Sequence, residues 1–272
     1  MGIQGLWPFL KKKGYEPTLL HQLTLHNSPS PGPTRRLDPL GSLFLTIRNA
    51  YWNNSLDNAH PILEREILKL GTPANLILYI DGAPCAEKQQ THEKRQETRD
   101  KAIKSAHKGV LAMEERLVSN LRVRKQHFLS VTKNLRTAFY WPPDARHSFA
   151  QYMRLRQWTV VECSTEADLR LAVDYQPGDV VITKDSDLLV YGFIQTIWRP
   201  ISEARFLVYN LPDVLRVLTI NRSQLTVLGV VSKNDYNRNI HSLGSATNFS
   251  IIKELKGEGN VQYACARSFC SF

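Results

Sequence analysis

The apolar run Val180-Val181-Ile182-Thr183 ends in Lys184-Asp185-Ser186-Asp187. A short apolar run of this kind reads as a strand buried on both faces, as in a parallel sheet. Its two carboxylates then stand at or just past the strand's carboxyl end, the edge where open α/β sheets bind ligands. On an extended chain, Asp185 and Asp187 point the same way. Crowded carboxylates repel unless cations neutralise them. Hard divalent ions such as Mg²⁺ suit oxygen donors and commonly serve phosphate chemistry.

Other carboxylates fall at similar places. Leu76-Ile77-Leu78-Tyr79-Ile80 reads as a strand ending at the turn signal Asp81-Gly82. Trp158 to Cys163 reads as another strand, followed by Glu166-Ala167-Asp168 at the start of a helix over 166–175 that Ser164 or Thr165 caps. Helical periodicity runs over 41–70, broken near 53–61. Further strands are expected near 194–198 and 205–209, with helices near 211–218 and 223–233. Strands alternating with helices predict an α/β fold with a mostly parallel sheet, which places Asp81 and Asp185 on one edge.

The segment from Glu87 to Arg136 lacks Pro and has Gly109 as its single glycine. It is too polar for ordinary core and reads as one or two long helices projecting from the body. Its charges also suit a solvated helix face. The 272-residue chain carries 35 Lys and Arg against 25 Asp and Glu, a formal charge of +10. Such a surface attracts polyanions, nucleic acid first and an anionic membrane second. Cys85, Cys163, Cys265 and Cys270 have no zinc spacing and read as reduced intracellular thiols. No apolar run is long enough to span a bilayer.

In these residues the chain resembles the flap endonuclease/XPG family of structure-specific nucleases, which have a PIN-like α/β core. Met1-Gly-Ile-Gln-Gly-Leu6 is similar to that family's N-terminus. Tyr79-Ile80-Asp81-Gly82-Ala83-Pro84, with Lys88 and then Lys94-Arg95, is similar to its strand end and first arch helix. Thr165-Glu166-Ala167-Asp168, Thr183-Lys184-Asp185-Ser186-Asp187 and Asn234-Asp235-Tyr236 are similar to its acidic blocks. The similarity runs from Met1 to about Leu255. It implies one PIN-like domain over 1–272, with an N-terminal part (1–85), a basic helical arch (86–140) and an internal part (141–256). A helix–two-turn–helix falls at about 223–255 and a tail at 257–272.

The resemblance maps the family's metal-site carboxylates onto Asp38, Asp81, Glu166, Asp168, Asp185, Asp187 and Asp235. Asp81, Glu166, Asp168 and Asp185 are the leading ligand candidates; Asp38, Asp187 and Asp235 act directly or through water. Arg35-Arg36-Leu37 stands where the family has an apolar strand, so the strand ahead of Asp38 is expected to be weak. Lys88 and Arg95 are seven apart and share a helix face, where the resemblance has them clamp the scissile phosphate. It also assigns nucleic-acid contacts to Gly2, Phe44, Lys94, Ile240, Leu243 and Gly244, with Phe44 stacking on a base. A monovalent cation, K⁺, is implied at the hairpin. Ser242 replaces a family glycine there.

The function implied is two-metal hydrolysis of phosphodiesters with Mg²⁺, or Mn²⁺ in its place, in DNA near 5′ flaps, branches or ends. The partner expected is branched or flapped DNA, with RNA as the alternative, and no membrane. The chain is expected to be a monomer inside the cell, in the nucleus, acting in DNA repair or replication. No sliding-clamp peptide is read in 257–272. A rival reading is a catalytically degenerate PIN-like scaffold that binds RNA or protein.

Overall fold

The structure is a computed structural model that describes residues 3, 5–21, 32–202, 205–232, 234 and 244–254. Its centre is a seven-stranded sheet in the order β1-β7-β6-β5-β2-β3-β4. The strands are β1 (Thr18–His21), β2 (Arg35–Leu37), β3 (Leu76–Ile80), β4 (Thr159–Glu162), β5 (Val180–Ile182), β6 (Thr196–Ser202) and β7 (Arg205–Asn210). From β6 through β5, β2 and β3 to β4 the pairing is parallel. The β6–β7 hairpin and the β1 edge are antiparallel.

Among the described residues the ten α-helices, in chain order, are α1 (Leu6–Lys12), α2 (Pro39–Asn53), α3 (Leu56–Leu68), α4 (Gln89–Val118), α5 (Lys125–Ala138), α6 (Pro143–Leu155), α7 (Ala167–Asp174), α8 (Leu211–Leu218), α9 (Arg222–Val231) and α10 (Ser245–Glu254). Alternation along the strands sends side chains into two separate cores. Tyr79, Val181, Ile197 and Tyr209 face Leu6 and Leu10 of α1, Leu171 of α7, Val214 of α8 and Leu228 of α9. Leu37, Leu78, Ile80, Ile182 and Phe206 face Ile47 of α2, Leu63 of α3 and Phe149 of α6. Helices thus cover both faces of the sheet, the arrangement a parallel sheet requires.

Two expectations are corrected. The first concerns β2, which is not weak: all three of its residues are buried and it lies between β5 and β3. Each arginine there has found a partner. The Arg35 guanidinium donates to the Leu70 carbonyl at 2.8 Å and lies 5.2 Å from the Trp198 ring centroid. Arg36 pairs with buried Asp179 at 2.7 Å and donates to the Tyr79 hydroxyl. Arg36 is tolerated because it is both paired and hydrogen-bonded; Arg35 relies on the carbonyl and the ring. The second correction is the N-cap of α7, which is Glu166 rather than Ser164 or Thr165.

The strand β1 has no counterpart in the sequence reading. Thr18, Leu19 and His21 are exposed on an edge strand, so no alternation marks it. The basic segment forms two helices, α4 and α5, which pack together as a hairpin. Ala102 and Ala106 are the buried residues of α4. A Cβ on Gly109, further along α4, would meet Val131 of α5 at 2.8 Å. Small residues on α4 therefore allow the close approach. Among the described residues no single helix is long and apolar enough to cross a membrane.

Candidate active site

The parallel register brings strand ends to one edge. Leu37 is level with Leu78 on one side and Ile182 on the other. The chain therefore leaves β2, β3 and β5 close together, at Asp38, Asp81 and Asp185. A cleft of about 1680 Å³ opens there, under the foot of the α4–α5 hairpin. Asp38, Asp81, Glu166, Asp168 and Asp185 all line it, as do Lys88, Lys94, Arg95 and Phe44.

Each carboxylate is fixed by its local chain. Asp38 caps α2, its two oxygens accepting the Leu40 and Gly41 amides at 2.8 Å each. A Cβ on Gly41 would fall 2.5 Å from Asp38 Oδ2, so glycine leaves the room that this cap uses. Asp81 accepts the Ala167 amide at 2.7 Å, at the N-terminus of α7, where a negative charge is favoured. The turn after Asp81 lies against the 163–165 loop through Gly82 N–H to Thr165 at 2.7 Å and Ala83 N–H to Ser164 at 3.0 Å. Asp168 sits in the first turn of α7. Asp185 follows β5, its amide donating to Thr183 Oγ1 at 2.9 Å.

Crowding shows in the proton affinities. Burial, then Asp81 and Asp185, hold the Asp38 carboxyl well above the usual carboxylate range. Burial, then Asp38 and Asp185, do the same to Asp168, with Lys88 opposing. Asp81 is raised chiefly by burial and further by Glu166, while the Ala167 amide, Arg146 and Lys88 pull it down. The Cys163 thiol behind them is pushed up to about 12, by burial first and then by Asp81 and Asp38. Buried like charges of this kind call for a cation.

One cation is already in place. Lys88, buried in the 3₁₀ turn before α4, is ion-paired to Glu166. The other oxygen of Glu166 has His92 Nε2 at 3.6 Å and Cys85 Sγ at 3.8 Å. The donor set of Asp38, Asp81, Asp168 and Asp185 is all oxygen, which fits a hard divalent ion. As they stand, no three His, Cys, Asp or Glu side chains among the described residues are set to hold a metal. What converges is charge, not a closed coordination shell.

Asp187 departs from the expectation. The chain turns into a 3₁₀ helix at Asp187–Leu189, so Asp185 and Asp187 are not an extended pair. Asp187 is buried, its amide donates to Asp185 Oδ1 at 3.0 Å, and its side chain is not among those lining the cleft. Gly2, Asp235, Ile240 and Leu243 lie outside the described residues. Gly244 precedes α10 and accepts the Asn248 amide at 3.0 Å. Lys184 is exposed at the cleft.

Several cleft residues carried no sequence signal. Arg146 of α6 is buried and donates to the Asp81 and Gly82 carbonyls at 2.8 and 3.2 Å. It lies 65 positions from Asp81, so no motif spacing connects them. Tyr140 and Arg99 also line the cleft. His92 was within reach of sequence reasoning, being four residues after Lys88, one helical turn away.

No protein-family profile matches the chain. It is 25% identical over 189 residues to Flap endonuclease 1 of Methanobrevibacter smithii, covering 67% of this chain and 53% of that protein. It is 24% identical over 283 aligned positions to Flap endonuclease 1 of Plasmodium knowlesi, covering 93% of this chain and 45% of that one. The chain thus spans about half the length of the curated relatives it matches. Among solved structures it is similar to the catalytic core of Rad2 in complex with DNA substrate, with a TM-score of 0.60 and 15% identity over 98% of this chain and 75% of that one. Human GEN1 in complex with Holliday junction DNA gives 0.59 and 17%, over 98% and 59%. The flap endonuclease-1 of Methanococcus jannaschii gives 0.58 and 18%, over 98% and 81%. These likenesses bear out the PIN-like α/β fold and the family resemblance read from the sequence.

Proposed function

Taking the chain as a relative of the flap endonuclease/XPG nucleases, we propose that it is a metal-dependent, structure-specific nuclease that hydrolyses DNA near 5′ flaps, branches or ends. The observation that carries this reading is the meeting, in one cleft, of Asp38, Asp81, Glu166, Asp168 and Asp185 from separate stretches of chain, under a basic helical hairpin. Asp81, Asp168 and Asp185, with Glu166, would hold divalent ions, and Asp38 would support them from the α2 cap. Bound Mg²⁺ or Mn²⁺ would supply a lowered water pKa and positive charge for the attacking and leaving oxygens. Lys88 and Arg95 would contact the non-bridging oxygens of the phosphate. Lys94 and the rest of α4 would hold neighbouring phosphates, which position a substrate without reading its sequence. Two of the similar solved structures, the Rad2 core and GEN1, were determined on DNA, in keeping with this partner. Action in nuclear DNA repair or replication belongs to the same proposal.

Two observations favour a second reading, a degenerate PIN-like scaffold that binds RNA or protein. Lys88 already neutralises Glu166, and no three side chains among the described residues are set as metal ligands. The test is a panel of 5′-flap, nicked, bubble and single-stranded DNA, with a matched RNA flap, in Mg²⁺, Mn²⁺ or EDTA. The nuclease reading expects branch-dependent cleavage with either metal, none in EDTA, and loss of both cleavage and Mn²⁺ binding in Asp185→Ala. Nucleic-acid binding that ignores the metal, with no cleavage of any substrate, would establish the scaffold instead.

A further inference from the structure

Between α5 and α6 the chain runs Phe139-Tyr140-Trp141-Pro142. Its three rings have different fates. Trp141 is 2% exposed and belongs to the core, packed 5.7 Å from Phe149. Phe139 is half-buried and meets the ring of Phe44 edge-on at 6.0 Å. Tyr140 is 47% exposed and lines the cleft, although an apolar ring gains nothing from water. It is also held in place. Arg146 donates to its hydroxyl at 3.4 Å, and the Arg99 guanidinium lies 4.8 Å from its ring centroid. Arg146 is itself anchored on the Asp81 and Gly82 carbonyls. The ring is therefore fixed to the strand end that carries Asp81, and it keeps a solvent-facing surface.

Besides Arg99 against the ring, Arg95 and Lys94 of α4 line the same cleft. A rigid aromatic ring beside cations is the pattern that binds single-stranded nucleic acid: the ring takes a base, the cations take its phosphates. We propose that Tyr140 is a stacking platform for an unpaired nucleotide, a base subsite separate from Phe44 and built by Arg146 and Arg99. This rests on the reading that the cleft takes nucleic acid. A purely structural Tyr140, there only to brace the hairpin through Arg99, would act alike on every substrate. A stacking Tyr140 acts only where an unpaired base is present.

The probe is a duplex with a 5′ single-stranded arm carrying 2-aminopurine at successive unpaired positions, with a blunt duplex as reference. Binding to the full chain is measured in EDTA, so that cleavage plays no part. With the wild type, 2-aminopurine fluorescence is quenched at one arm position. Tyr140→Leu abolishes that quench and weakens the armed substrate by between about fivefold and a hundredfold, leaving the blunt duplex within twofold. Tyr140→Phe and Tyr140→Trp, which keep a ring, retain the quench. The proposal is overturned if Tyr140→Leu, still folded by its melting curve, weakens both substrates equally or neither. It is also overturned if no arm position is quenched while the armed substrate binds. If the wild type binds neither substrate, the nucleic-acid reading of the cleft fails first and takes this one with it.

Discussion

Gly82→Ala is the substitution whose consequence the backbone fixes most tightly. An alanine Cβ there would lie 2.0 Å from the Cys163 carbonyl oxygen and 2.5 Å from the Ser164 carbonyl group. A carbon rests no closer to such an oxygen than about 3.3 Å, so the two backbones must part by about 1.3 Å. All the atoms met are main chain, and no rotamer change relieves them. Parting stretches the Gly82–Thr165 and Ala83–Ser164 hydrogen bonds, now 2.7 and 3.0 Å, beyond useful length. Each backbone group left without a partner costs about 1–3 kcal/mol, or roughly 2–6 for the pair. The backbone-entropy gain from Gly to Ala, about 0.4–1 kcal/mol, does not offset this. The net cost of about 1–5.5 kcal/mol, at about 2–4 °C per kcal/mol, lowers the melting temperature by roughly 2–20 °C. The same movement carries Asp81 away from Glu166 and Asp168, so Mn²⁺ affinity measured by calorimetry drops as well. Gly192→Ala is the control, since a Cβ there meets nothing within 4 Å. A Gly82→Ala protein that melts within about 2 °C of the wild type and binds Mn²⁺ as tightly would refute the reasoning.

Further outcomes follow from the buried charges. Asp38, Asp81 and Asp168 have folded-state proton affinities raised above their unfolded ones. The folded protein therefore holds protons that the unfolded chain has released. Metal-free stability should fall as pH rises from about 4, the unfolded carboxylate value, through the raised folded values. Asp168→Asn should reduce that fall, by at most about 1.4 kcal/mol per pH unit, and raise stability at neutral pH in EDTA. Chemical denaturation across pH measures this, and a variant with an unchanged pH profile would count against a crowded cluster. Breaking the buried Arg36–Asp179 pair from one side, with Arg36→Met, should cost about 3–5 kcal/mol because Asp179 is left charged and buried. Adding Asp179→Leu should recover much of that loss. Equal costs for the single and double variants would show that β2 does not depend on the pair.

The sequence by itself determined the alternation of strands and helices, the three strand ends bearing Asp81, Glu166–Asp168 and Asp185, and the basic helices between them. These are local features. Apolar runs of strand length ending in Asp are legible because burial and turn chemistry act on neighbours in the chain. Lys88 and Arg95 were singled out by the family resemblance rather than by spacing; both line the cleft, Lys88 from the 3₁₀ turn before α4. Only the tertiary structure decided the rest. The Arg35-Arg36 strand looks wrong in isolation and is made sound by Asp179, Tyr79 and Leu70, which come from three other stretches of chain. Asp187 leaves the cleft because the chain curls into a 3₁₀ turn after Asp185. Arg146 and Tyr140 enter it because α6 packs against β4, bringing Arg146 to the carbonyls beside Asp81. The reason is physical: secondary structure is written in contacts a few residues apart, whereas the partner of a buried charge is chosen by which surfaces the folded sheet brings together.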